Sequence, residues 1–214
     1  MKLYASPFSS SFAARLGLAE AELPVEIVWV DLATKRTSDG SDLAALNPKA
    51  LVPTLVLDDR AVLTEIGACL QYIGDQKPGR QLVPPPAAFE RYRLQEWLSF
   101  LAGEIHTPLG LLLINGPSID PAGAEGQRRL AQHLLPPRLD HVARALAPGG
   151  FLMGEYFTVA ECYLFTTLIW AHYVEFDLAP WPVLDGYFDR IAARPAVAAA
   201  FAEERAARIA ARKP

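Results

Sequence analysis

At 214 residues, 51% hydrophobic and 21% charged, the chain has enough length for one or two domains with real cores and is too apolar to be disordered. Its formal net charge of −4 speaks against the basic footprint of a nucleic-acid binder. No run of ~18 apolar residues marks a membrane span, and with strand-like Lys2-Leu3-Tyr4 directly after Met1 no signal peptide is indicated, so a cytoplasmic location is expected.

Lys2 to Ala5 reads as a strand and Ser6 to Ser11 as a loop that feeds a helix. Phe12, Leu16, Ala19 and Leu23 give that helix a buried stripe, which Pro24 ends. Glu26 to Val30, rich in β-branched and aromatic residues, is a second strand, and a helix joining two strands in this way makes them a parallel pair. Asp31 to Leu46 is polar, with Lys35 and Arg36 at its centre, and closes in a short helix from Asp42.

Val52-Pro53 then precedes the apolar run Thr54 to Leu57, where a proline is hard to place because it offers no ladder donor. A cis bond at Pro53 resolves the difficulty and turns the N–H and C=O of Val52 outward, where they can add a strand to an extended peptide. The turn Asp58-Asp59-Arg60 and the run Ala61-Val62-Leu63 complete a hairpin that delivers Thr64-Glu65 to a helix start, a natural carboxylate site. Ile66, Cys69, Leu70 and Ile73 fall on one face of that helix. Lys77 to Arg80 and Val83 to Pro86 carry turn-forming residues without periodicity, so residues 1–77 form one domain, 78–86 a linker and 87–214 a second domain.

Beyond the linker every periodic pattern is helical. Leu94, Trp97, Leu98, Leu101 and Ile105 form one stripe, with His106 at its end before Thr107-Pro108. Leu130, Leu134, Leu139, Val142 and Leu146 form a second, in which Pro136-Pro137 predicts a kink or break. Val159, Cys162, Tyr163, Thr166, Ile169, Trp170 and Tyr173 form a third, opened by a capping box of Thr158 and Glu161. Leu184, Tyr187, Phe188 and Ile191 mark a fourth helix, and Pro195 opens a fifth. Cys69 and Cys162 have neither C-x-x-C nor zinc spacing and read as small core residues without chemistry.

The order of these motifs resembles the cytosolic glutathione transferases, and most closely their bacterial beta class. The resemblance runs from Met1-Lys2-Leu3-Tyr4 through Asp31 to Lys35, Asn47-Pro48-Lys49, Val52-Pro53 and Thr64-Glu65 to Phe157-Thr158-Val159-Ala160. It implies an α/β plus all-α chain: an N-terminal thioredoxin-like βαβαββα domain that holds glutathione, followed by a C-terminal helical bundle. It implies transfer of the glutathione thiolate to a small hydrophobic electrophile, with glutathione as co-substrate and no metal or redox cofactor. It also implies a symmetric homodimer, in which the hairpin face of the first domain packs on the partner's helical domain.

The thiolate is the nucleophile, so such a site must favour the anion over a thiol with a pKa near ~8.5. Ser10 aligns with the beta-class cysteine and Ser9 with the serine of other classes; either hydroxyl can donate to the sulfur, and either can equally be a loop or cap serine. A serine at position 10 cannot form a mixed disulfide with glutathione, so thiol-exchange chemistry should be weak or absent. The resemblance further assigns Leu51, Val52 and Pro53 to the peptide edge of glutathione. Glu65 would take its γ-glutamyl ammonium, the N–H of Ile66 its carboxylate and Lys35 its glycyl carboxylate, while His106 would face the sulfur across the domain cleft. Phe8, Leu109, Leu113, Trp170 and Tyr173 are the residues expected to line an apolar pocket at the domain junction. Two further functions share these features: a glutathione-dependent isomerase or dehalogenase, and a non-catalytic ligand-binding protein on the same fold.

Overall fold

The apolar strand Lys2–Ala5, β1, lies inside a four-stranded sheet of order β2-β1-β3-β4. These strands belong to a computed structural model that describes residues 1–114, 121–146 and 149–211. The helix α1 (Ser11–Glu20) carries the chain from β1 to β2 (Glu26–Trp29), and the two strands are parallel, with Leu3 opposite Ile27. A four-residue helix, α2 (Leu43–Leu46), is capped by the Asp42 carboxylate, which accepts the Ala44 N–H. It precedes the hairpin β3 (Thr54–Val56) and β4 (Val62–Thr64), in which Thr54 pairs with Thr64. The hairpin turn closes where the Leu57 N–H meets the Ala61 carbonyl at 2.9 Å. β3 also pairs antiparallel with β1, and α3 (Ile66–Asp75) follows, giving the βαβαββα order.

Ile66, Cys69, Leu70 and Ile73 are all buried, as their spacing predicts. Gly17 lets α1 approach α3: a Cβ there would lie 3.1 Å from Leu70 Cδ2. The first helix ends at Glu20, before Pro24, and Leu23 is only half-buried.

The chain forms two compact units, Met1–Val83 with Ala192–Pro214, and Pro84–Ile191. The last helix, α9 (Pro195–Ala211), therefore counts with the first unit, where it packs on α1. The second unit holds α4 (Phe89–Phe100), α5 (Thr107–Ile114), α6 (Pro121–Leu146) and α7 (Val159–Tyr173), and α8 (Pro182–Ala192) closes it. Among the described residues no helix is long and apolar enough to cross a membrane.

Proline shapes two of these helices, and one expectation about it needs correction. Leu94, Leu98, Leu101 and Ile105 of the first stripe are buried and Trp97 is half-buried, and the helical path continues through Pro108. Leu101–His106 widens into a π-helical segment and continues into α5. Proline removes an N–H and pushes on the preceding turn, and the wider winding accommodates both. The Thr107 hydroxyl donates to the Ala102 carbonyl at 3.0 Å.

The correction concerns α6: of the kink or break expected at Pro136-Pro137 the break does not occur, and the helix runs on through both. Its buried stripe is Ala131, Leu135, Leu139, Val142 and Leu146, whereas Leu130 is 49% exposed and Leu134 half-buried. The carbonyls that lose donors to the two prolines belong to Gln132 and His133, both exposed, so water can satisfy them. Each proline costs about 3 kcal/mol, and each buried leucine or valine returns roughly 1.5–3 kcal/mol, so the packed stripe wins. Arg138 fixes the following turn, donating to the Leu134 carbonyl at 2.8 Å and to Glu104 at 2.7 Å.

Candidate functional site

The loop between β1 and α1 carries three serines with different partners. Ser11, buried at the first turn of α1, accepts the Ser6 N–H at 3.1 Å and donates to the Ser6 carbonyl at 3.3 Å. Ser9 meets the Ser11 hydroxyl at 2.8 Å and accepts the Ser11 N–H at 3.3 Å, so these two tie the loop to itself. Ser10 makes no cap bond; its hydroxyl reaches across the chain and donates to the Val52 carbonyl at 2.8 Å. Local capping thus accounts for Ser9 and Ser11 and leaves Ser10 as the serine on the Val52 edge.

A buried carboxylate holds the other end of this loop. Phe8 has a left-handed φ of 55°, and its N–H donates to Glu204 on α9 at 2.7 Å. Glu204, fully buried, also accepts from Arg15 Nη1 at 2.9 Å, and Arg15 reaches Glu203 as well. Burial pushes the Glu204 carboxyl up, while the Phe8 N–H and the Arg15 guanidinium pull it down. The Phe8 ring packs edge-on against Phe12 and Phe201, with centroids 5.6 and 5.0 Å away.

The Val52-Pro53 bond is cis, as expected from a proline placed just before β3. Asn47, buried, donates to the Leu51 carbonyl and to the Thr54 hydroxyl, each at 3.0 Å, and so fixes the turn before β3. The Leu51 side chain is 55% exposed.

At the end of β4, Glu65 takes φ 68° and ψ 128° and stands at the N-cap of α3 without capping it. Its carboxylate pairs with Lys49 Nζ at 2.6 Å, and the same ammonium donates to the Thr64 hydroxyl at 2.7 Å. Ile66 is the first residue of α3 and is buried, and no acidic residue occupies the first turn. The Cys69 N–H bonds to the Glu65 carbonyl at 2.9 Å, so the N–H groups of Ile66, Gly67 and Ala68 precede the helix ladder and face its positive end. Lys35 lies in the exposed loop after β2 with φ 60°, its N–H on the Asp31 carbonyl at 2.8 Å.

In the second unit, His106 ends the π-helical segment. Its Nδ1 lies 2.8 Å from the Tyr163 hydroxyl, and the Trp170 ring stands edge-on to it at 4.6 Å. Leu109 and Trp170 are buried, Leu113 is half-buried, and Tyr173 is 57% exposed.

Four residues of these networks escape the sequence reading as site residues. Tyr163 sits seven positions before Trp170 on α7, a helical spacing that puts both on one face. Lys49 lies inside the Asn47-Pro48-Lys49 motif but gives no sign of reaching Glu65. Arg15 and Glu204 are 189 positions apart and carry no local signal at all. Both cysteines are buried, and burial pushes the Cys69 thiol up to about 12.

Family models place this architecture. Residues 5–76 match the glutathione S-transferase N-terminal domain, and residues 127–202 match the glutathione S-transferase C-terminal domain. The chain is 36% identical over 204 residues to glutathione S-transferase GstA of Escherichia coli O157:H7, covering 95% of this chain and 98% of the relative. The solved ternary complex of BphK, a bacterial GST, is 42% identical with a TM-score of 0.89, over 95% of this chain and 99% of that one. A bacterial beta-class glutathione S-transferase from Sphingomonas chungbukensis is 38% identical with a TM-score of 0.86, over 95% of this chain and 98% of that one.

Proposed function

The chain belongs to the glutathione S-transferase family, and we propose that it joins the glutathione thiolate to a small apolar electrophile, with Ser10 as the hydroxyl that stabilises the sulfur anion. The observation that carries this reading is the reach of Ser10 to the Val52 carbonyl, which puts a donor beside the backbone edge suited to an extended peptide. Glu65 receives the γ-glutamyl ammonium, a position that Lys49 fills in the structure. The uncompensated first turn of α3, beginning with the N–H of Ile66, receives the adjoining carboxylate. Val52 and Leu51, beside Pro53, align the cysteinyl peptide, and exposed Lys35 meets the glycyl carboxylate.

With glutathione so held, a hydroxyl donor and a helix N-terminus lower the thiol pKa. Each unit requires about 1.4 kcal/mol of differential stabilisation. The thiolate then attacks the electrophilic carbon: the new bond is sulfur to carbon, and the leaving group departs with its electron pair. Ser9 secures the loop in support of Ser10. Leu109, Leu113, Trp170 and Tyr173 of the second unit receive the apolar body of the electrophile. In this reading residues 1–77 bind glutathione and residues 87–214 the electrophile. The protein acts as a cytoplasmic homodimer with glutathione as co-substrate and no further cofactor.

Calorimetric titration with glutathione tests the reading. Binding in the micromolar to low-millimolar range that weakens at least tenfold in Glu65→Gln supports it. No binding at millimolar glutathione would leave a ligand-binding protein on the same fold. Turnover of isomerisable or halogenated substrates without net conjugation would instead indicate the isomerase or dehalogenase chemistry.

A further inference from the structure

Lys49 and Glu65 meet because the hairpin register brings them together. Thr54 pairs with Thr64, so the turn before β3 runs beside the residues that follow β4. Within that turn the Lys49 N–H donates to Asn47 Oδ1 at 3.1 Å, and buried Asn47 ties Leu51 and Thr54 into the same frame. From this fixed base the Lys49 ammonium reaches two acceptors at once, the Thr64 hydroxyl at 2.7 Å and Glu65 Oε1 at 2.6 Å. These acceptors adjoin the first turn of α3, which holds no acidic residue of its own. An acceptor pair for an ammonium beside a helix start for a carboxylate suits the head group of an α-amino acid. Lys49 therefore imitates the cationic half of such a ligand.

Two kinds of ligand feel that lysine in opposite ways. A head group with an ammonium must displace Lys49 and gains only the difference between two ammonium–carboxylate contacts. The Lys49 and Glu65 side chains are 45% and 72% exposed, so the displaced pair weakens such a ligand by no more than about fivefold. A head group that carries the carboxylate but no ammonium leaves Lys49 where it is. Glu65 is then covered with its partner in place, whereas without Lys49 the same ligand would cover an unpaired carboxylate, which is costly.

We propose that Lys49 is a specificity-determining residue: it stands in for the ligand ammonium and opens the site to thiol dipeptides acylated by a plain dicarboxylic acid. Glutaryl-cysteinylglycine, which is glutathione with its amino group replaced by hydrogen, is the simplest of these. The inference rests on the glutathione reading above for the placing of the head group at Glu65. Specificity is a difference of affinities, and Lys49 acts on both sides of that difference, lowering one and raising the other.

The test is calorimetric titration of the full chain with glutathione and with glutaryl-cysteinylglycine, under reducing conditions, for the parent, Lys49→Met and Lys49→Arg. The parent is expected to bind both. Lys49→Met should shift the two ligands in opposite directions, glutathione tighter by up to about fivefold and the glutaryl peptide weaker by at least about threefold. Lys49→Arg keeps the cation, so its ratio of the two affinities should stay within about twofold of the parent's. A purely structural lysine would shift both ligands together, and that result overturns the proposal. So does a glutaryl peptide whose affinity is unchanged in Lys49→Met, or one that fails to bind the parent where glutathione binds. Failure of glutathione itself to bind the parent overturns the transferase reading and this inference with it, so the two failures are told apart by the glutathione titration alone.

Discussion

The Ser10 hydroxyl donates to the Val52 carbonyl across 42 positions of sequence, at 2.8 Å, while Ser9 and Ser11 spend their hydroxyls on each other and on Ser6. One loop thus contains two serines that shape it and one that reaches the backbone edge of the hairpin. Removing that reach should cost little stability. Ser10→Ala is expected to lose about 0.5–1.5 kcal/mol, the ordinary net worth of one hydrogen bond, in a urea melt. A loss above 3 kcal/mol would mean that Ser10 is chiefly a structural residue.

Lys49 occupies Glu65 at the position proposed for the glutathione ammonium. Both side chains are well exposed, so the pair is worth about 0–1 kcal/mol. Lys49→Met should tighten glutathione binding by up to about fivefold in calorimetry, because the competitor for Glu65 is gone. Weaker binding would show that Lys49 contacts the ligand itself.

Glu204 holds the Phe8 N–H and the Arg15 guanidinium from within the core. Glu204→Ala leaves a nearly buried arginine with only the exposed Glu203, and a backbone N–H without its acceptor. The expected loss is about 3 kcal/mol, measured by chemical denaturation. A loss below 1 kcal/mol would contradict the clamp.

Glu161 supplies the pH dependence. Burial raises its carboxyl to about 7, against the pull of the Thr158 hydroxyl and N–H and the Leu152 N–H. Because the folded value lies above the unfolded one of about 4.3, the native state binds more protons between these limits. Its contribution is fully present below about pH 4.3 and is lost as pH rises through about 7. Melting temperature should fall across that window in the parent, and Glu161→Gln should flatten the slope. Thr158→Ala should cost about 1 kcal/mol through loss of the helix cap. A parent stability that rises between pH 5 and 7 beyond what Glu161→Gln shows would contradict this account.

Much of the fold is legible in the sequence because its signals are local. The β1-α1-β2 crossover, the Val52-Pro53 bond, the face of Ile66, Cys69, Leu70 and Ile73, and the Thr158–Glu161 cap all follow from short spacings, and each is present. The misreadings come from proline and from helix phase. Pro136-Pro137 reads as a kink or break, yet a buried stripe carries the helix through both, and the π-helical segment before Pro108 has no local signal. Leu130 fits the period of α6 as well as Ala131 does, and only the neighbouring helices determine which is buried. The candidate site divides in the same way. Ser10, Val52 and Glu65 can be read from motif order, whereas Arg15, Glu204 and Tyr163 act through contacts made only after folding.

The most direct test of the transferase account is ultraviolet difference titration of bound glutathione against pH, for the parent and for Ser9→Ala and Ser10→Ala separately. The account predicts that the bound thiol ionises well below its free value of ~8.5 in the parent and in Ser9→Ala, and returns toward that value in Ser10→Ala. A bound thiol that ionises at its free value in the parent, or one equally depressed in Ser10→Ala, would contradict it.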